Sequence, residues 1–228
     1  DNCLGNLENA ARNGLKHGAA GYLITDWGDG GHHQVLPISY PGFTAGAAYS
    51  WCFEANREAD LAGALNRHFF QDSTGTLGQF CLDLGRTANR IPGLVRRNCS
   101  AINQLLFGKL QNGRPDLSNV TREQYDDAEG WLDKLTADLA GARPACHDSD
   151  LIMQELRHAL AASRHAIHRG RLAQFGQGTP ETLRSELQSL IMGHEDQWLA
   201  RNRRGGLYES STRLRKTGSA FEMHAAAD

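Results

Sequence analysis

Residues 21–42 read GYLITDWGDGGHHQVLPISYPG. The unbroken apolar run Tyr22, Leu23, Ile24 predicts a strand buried on both faces, as in a parallel sheet beneath helices. Asp26, Asp29, His32 and His33, interleaved with glycines at 28, 30 and 31, read as a loop at that strand's C-terminal end. Upstream, Leu7, Ala10, Ala11 and Leu15 give one side of a helix over residues 6–17, and Gly18 is a left-handed stop. Downstream, PGFTAGAAYSWC predicts a second helix whose small residues Ala45, Gly46, Ala47 and Ala48 permit close packing on a sheet. Helix, strand, long loop, helix is one α/β repeat. A single strand makes no sheet, so its neighbours are expected in upstream residues outside this chain. The opening, DNCLGNLENA, has neither an initiator Met nor a signal pattern and reads as a portion of a longer protein.

Composition narrows the function. The chain has 228 residues, 40% hydrophobic and 22% charged, enough for one large domain or two small ones. A net charge of -2 gives no electrostatic case for nucleic acid or an anionic membrane. No apolar run approaches the ~20 residues of a membrane-spanning helix. The five cysteines, Cys3, Cys52, Cys81, Cys99 and Cys146, are widely spaced with no C-x-x-C. They read as reduced thiols rather than a disulfide framework or a zinc site. Thiols and moderate charge together fit a bacterial cytoplasm.

The remainder predicts helices throughout. Leu61, Leu65 and Phe69 step by four, and Leu77, Phe80, Cys81, Leu84, Ala88 and Ile91 keep helical spacing. Thr121 to Gln124 is a capping-box pattern, followed by Trp131, Leu132, Leu135 and Leu139. Ile152, Leu156, Leu160, Ser163 and Ile167 form a stripe. Thr179-Pro180-Glu181 starts another helix, with a capping hydroxyl, a proline at the first helical position and an acid in the first turn. That helix carries Leu183, Leu187, Leu190, Ile191 and Trp198 and is expected to stop at Gly205-Gly206. Breaks are expected at 111–119, 141–148 and 175–180, and the tail EMHAAAD is expected to fray.

The loop allows three chemistries. A tryptophan flanked by carboxylates can cover the C–H face of a pyranose while an acid accepts bonds from hydroxyls, and glycines let the backbone approach. A glycine-rich connection with turn-capping aspartates explains the same residues without a ligand. Asp26, Asp29, His32 and His33 could ligate a metal, but the spacing matches neither H-E-x-x-H nor a calcium loop. Other clusters read as solvated helix faces: His158, His165 and His168; the acids of 126–129; and HED at 194–196. The basic run at 200–206 complements a helix C-terminus.

Residues 6–52, above all GLKHGAAGYLITDWGD, resemble the last helix–strand–helix step of the catalytic barrel in bacterial family 20 glycoside hydrolases, the β-N-acetylhexosaminidase-like enzymes. The rest, including WLARNRRGGLYES, resembles a C-terminal helical extension of one branch. The resemblance implies the end of a (β/α)8 TIM barrel over 1–55 and a mainly α-helical extension over 56–228. It implies that Trp27 forms part of a sugar-pocket wall and that Asp29, in place of the family's usual Glu, binds hydroxyls remote from the reacting carbon. His32 would line the rim with Gln34, and Asp26 would cap the loop. The partner implied is an N-acetylhexosamine-containing glycan or glycoconjugate, cleaved with retention by the substrate's own acetamido group. No cofactor or metal is implied. The catalytic Asp-Glu pair of that family is absent here, since the chain contains no Asp-Glu dipeptide. This chain would therefore carry pocket residues and no acid–base machinery. Two alternatives stand beside this reading: a non-enzymatic helical interaction module, and a sugar-binding or other (β/α)8 glycosidase relative.

Overall fold

The computed structural model describes residues 2–94, 99–110 and 113–222. The tail expected to fray lies, beyond Glu222, outside the described residues. Among them the chain is mostly α, with ten α-helices and no strand. The helices are Asn2–Lys16 (α1), Tyr40–Trp51 (α2), Phe53–Asn56 (α3), Leu61–Leu65 (α4), Leu77–Arg86 (α5), Ala101–Phe107 (α6), Arg122–Gly141 (α7), Ser149–Phe175 (α8), Pro180–Arg201 (α9) and Leu207–Glu222 (α10). A π-helical turn, Asn66–Phe70, continues α4, and a 3-10 turn, Thr87–Arg90, continues α5.

The expected strand is the main departure. Residues 21–28 connect α1 to the following turn without regular structure, and no described strand pairs with them. Nor are they buried on both faces. The Tyr22 hydroxyl donates to the Gly46 carbonyl at 3.0 Å, and Ile24 packs so close that a β-carbon at Gly46 would sit 2.2 Å from its Cδ1. Leu23 and Trp27, by contrast, are 85% and 71% exposed. Side chains thus alternate between a face on α2 and a face open to solvent. A small core of Ala11, Ala45, Tyr49 and Phe53 joins α1, α2 and α3 around this segment.

The larger core belongs to α4 through α8. It includes Leu65, Phe70, Leu77, Phe80, Leu105, Leu132, Leu135, Ile152, Leu156 and Ile167, the stripes that helical spacing predicts. The two cores touch each other. Ile38 and Tyr40 pack on the larger core, and α2 also touches α4 and α5. The helix starts are set locally: Thr121 accepts from the Gln124 amide, and Thr179 accepts from the Thr182 amide at 3.2 Å with Pro180 at the first turn. Asp72, buried, takes the amides of Thr76 at 2.9 Å and Leu77 at 3.0 Å at the start of α5. It also takes the Arg143 amide at 2.9 Å, tying α5 to the end of α7. Where α5 crosses α4, a β-carbon at Gly78 would stand 2.0 Å from the Ala62 carbonyl oxygen, so only glycine permits the approach.

At the centre, Arg169 of α8 is 2% exposed. Its guanidinium reaches the end of α6 and donates to the Leu105 carbonyl at 2.5 Å, to the Leu106 carbonyl, and to the Gly108 carbonyl at 3.2 Å. A helix end leaves its last carbonyls without intrahelical donors, and here one buried side chain supplies them. Burial pulls the Arg169 pKa down to about 10, which still leaves it charged at neutral pH. Arg169→Met keeps the stem but removes the donors. It should lower unfolding free energy by about 3 kcal/mol, the cost of buried carbonyls left unpaired, as measured by urea denaturation.

Candidate functional site

The loop after residue 27 is held by backbone geometry that its sequence explains. Gly30 and Gly31 take positive φ of 71° and 115°, and His32 takes 50°, a value uncommon outside glycine. The two glycines also leave room for incoming side chains: a β-carbon at Gly30 would overlap the Arg213 guanidinium, and one at Gly31 would meet the His33 ring. Inside the loop, Asp26 accepts from the Ser39 hydroxyl at 2.6 Å and from Gln34 Nε2 at 3.1 Å. Asp26 therefore closes the loop across its base, as the capping expectation holds.

The tip is fastened by the far end of the chain. Ser210, 1% exposed at the start of α10, donates its hydroxyl hydrogen to the Gly31 carbonyl. His194 Nε2 lies 2.8 Å from the Ser210 hydroxyl oxygen; because that hydroxyl hydrogen is already committed, His194 is the donor. His33 Nε2 donates to the Ser210 carbonyl at 3.0 Å, and Arg213 donates to the Gly30 carbonyl. Rings complete the contact. His33 lies 4.8 Å from Phe107 and 5.0 Å from His194, and His194 continues to His158 at 6.4 Å. Burial above all lowers the pKa of His33, His158 and His194, each to about 4. At neutral pH this column is uncharged and acts through shape and hydrogen bonds.

Between loop and helices lies a cleft of about 180 Å³. Asp26, His32, Gln34 and Ser39 line it from the loop, Glu155 from α8, and His194, Gln197, Trp198 and Arg201 from α9. Arg201 grips Glu155 through Nε at 2.9 Å and Nη2 at 2.8 Å, and Asp148 at 2.5 Å. Glu155 is 1% exposed, so this pair fixes α8 against the end of α9 in a poorly solvated place.

The residues that the sequence nominates for sugar binding do not meet in one pocket. Trp27 stands out on the open face of residues 21–28, its indole N–H donating to the Thr25 hydroxyl at 2.8 Å. Asp29 is exposed in the turn at 29–31. His32 turns into the cleft, edge-on to Trp198 at 6.2 Å. Among the described residues no three His, Cys, Asp or Glu side chains converge as a metal site requires. Sequence reasoning singled out neither Ser210 nor Arg213 and took His194 for a solvated face. The adjacent histidines 32 and 33 were the available signal: both line the cleft, and His33 also enters the column.

The histidines of α8 are not a solvated face either. His165 is 1% exposed, and its Nδ1 lies 2.8 Å from Glu186 Oε2. His168 bridges Glu186 at 2.8 Å and Glu129 at 3.0 Å, while Arg171 joins Glu129 to Asp126. The bond to Glu186 raises His168, burial lowers His165, and the two imidazoles overcome burial to hold Glu186 down to about 2. The acids of 126–129 and these histidines therefore sew α7, α8 and α9 together.

A stability consequence follows from the column. Its native pKa values lie below the unfolded value near 6.5, so the unfolded chain binds more protons between about pH 6.5 and pH 4. Stability is complete above that window and falls as pH drops through it. Melting at pH 5 should come about 12–24 °C below that at pH 7.5, for a loss of about 2 kcal/mol per ring and about 6 kcal/mol over the three. Thermal denaturation at the two pH values checks this.

Compared with models of protein families, with curated proteins and with solved structures, the chain matches none.

Proposed function

We propose that this chain is the C-terminal portion of a family-20-like glycoside hydrolase. The whole protein would remove terminal N-acetylhexosamine from glycans by a retaining, substrate-assisted mechanism. In this reading residues 1–55 are the last helix–strand–helix of a (β/α)8 barrel and residues 56–228 a helical extension. One observation carries it: residues 21–28 run between two helices that pack on each other, with alternate side chains on α2 and in the open. A barrel strand has this division, one face toward its helices and the other toward the barrel interior. The exposed Leu23 and Trp27 are what neighbouring strands would cover.

The loop at the C-terminal end of such a strand is where barrel enzymes hold substrate. Trp27, on the inward face, would lie along the apolar side of a pyranose, with Asp29 accepting from hydroxyls beyond the reacting carbon. His32 contributes from the neighbouring cleft. The general acid and the group that orients the acetamido oxygen would come from elsewhere in the whole protein, and this chain alone would be inactive.

The helical-module alternative draws on the larger core, whose buried residues run from Leu65 to Ile167. The two readings part at one residue. In the whole protein, Trp27→Ala should lower kcat/KM for an aryl N-acetyl-β-hexosaminide about 100-fold, roughly 2.7 kcal/mol of transition-state binding. Unchanged hydrolysis, or no such hydrolysis in the wild type, would sink the glycosidase reading.

A further inference from the structure

In the proposal above the cleft between the loop and α9 lends only His32, and the rest of its lining has no role. We infer that it is a second binding site, shaped for one neutral, hydroxyl-rich ring such as a pyranose. The choice of sugar rests on the glycosidase reading; the existence of the cleft as a site does not.

The charges exclude most other ligands. Arg201 is already shared between Glu155 and Asp148, so no cation is left to hold an anion. His33 and His194 are neutral at physiological pH and add none. The carboxylates are equally engaged: both oxygens of Glu155 face Arg201, and those of Asp26 take Ser39 and Gln34. An ammonium ion would therefore find no uncommitted acid. What remains is a wall of amide and imidazole groups, which exchange hydrogen bonds with neutral hydroxyls, while the Trp198 indole N–H is already given to the Arg203 carbonyl at 2.8 Å.

Two further features fit a sugar ring. Trp198 and Val35 bring apolar surface into an otherwise polar cleft, as a ring with C–H faces requires. Gln197 lines the cleft, and its Oε1 is buried without a hydrogen-bond partner. An orphan buried acceptor is costly unless something donates to it, and a ligand hydroxyl would do so. A volume of about 180 Å³ holds about six waters at liquid density, room for one ring and not for a chain of them.

The test uses the 228-residue chain, isotope-labelled, titrated with free N-acetylglucosamine into the range of about 100 mM that single-ring affinities require. The expected result is a saturable shift of the Trp198 indole and Gln197 amide signals. Gln197→Leu, with melting checked, should weaken binding about tenfold, and Trp27→Ala should leave it within about twofold. Shifts confined to the Trp27 indole would overturn the cleft site while leaving the glycosidase reading standing. No saturable shift at Trp198 or Gln197 in the wild-type chain overturns it too, whatever the variants do. Equal shifts with acetate or ethylammonium would overturn the neutral-ring assignment.

Discussion

The fold is organised around a single buried hydroxyl. Ser210 connects the tip of a loop near residue 31 to α9 and α10, almost the full length of the chain away. Its hydroxyl hydrogen goes to Gly31, its oxygen receives His194, and its backbone carbonyl receives His33. Ser210 and His194 are buried and Gly31 and His33 half-buried, so the bonds are costly to leave unmet. The arrangement also dictates the loop: glycine at 30 and 31 and a left-handed turn.

This constraint gives the helical region a part in whatever the loop does. A glycine-rich segment with an exposed tryptophan would otherwise wander. Tied down at both its base, by Asp26, and its tip, by Ser210 and Arg213, it presents Trp27 and His32 from a defined frame. Under the glycosidase reading the helical extension becomes a support for the substrate loop, and the cleft between them a natural place for a second ring. The same extension is rigid where it needs to be, through Arg169 under α6 and Arg201 between α8 and α9.

Much of the helical body was legible in the sequence. The stripes of α5, α7, α8 and α9 bury the residues that spacing selects, and Thr121 and Thr179 cap as their patterns promise. Local signals suffice there because hydrophobic periodicity and capping act within a few residues. Residues 21–28 were read as a strand and form none, and the side of Leu23 was not legible either. An apolar run says that two faces want cover, and here α2 covers only one. The histidines were misread for the opposite reason. His165 and His194 lie on helices with no mark of which side a later helix will cover, and their partners are 21 and 16 residues away. The fastening of the loop depends on contacts across more than 170 residues, beyond any local pattern.

The seating of the loop on α9 and α10 is tested most directly by the titration of individual histidine rings, followed by nuclear magnetic resonance. The account predicts that His33, His158 and His194 stay neutral until about pH 4, because burial in the ring column opposes their charge. Midpoints near the ordinary value of about 6.5 for all three would mean open, hydrated rings. The loop would then not be held by the helices, contradicting the account at its centre.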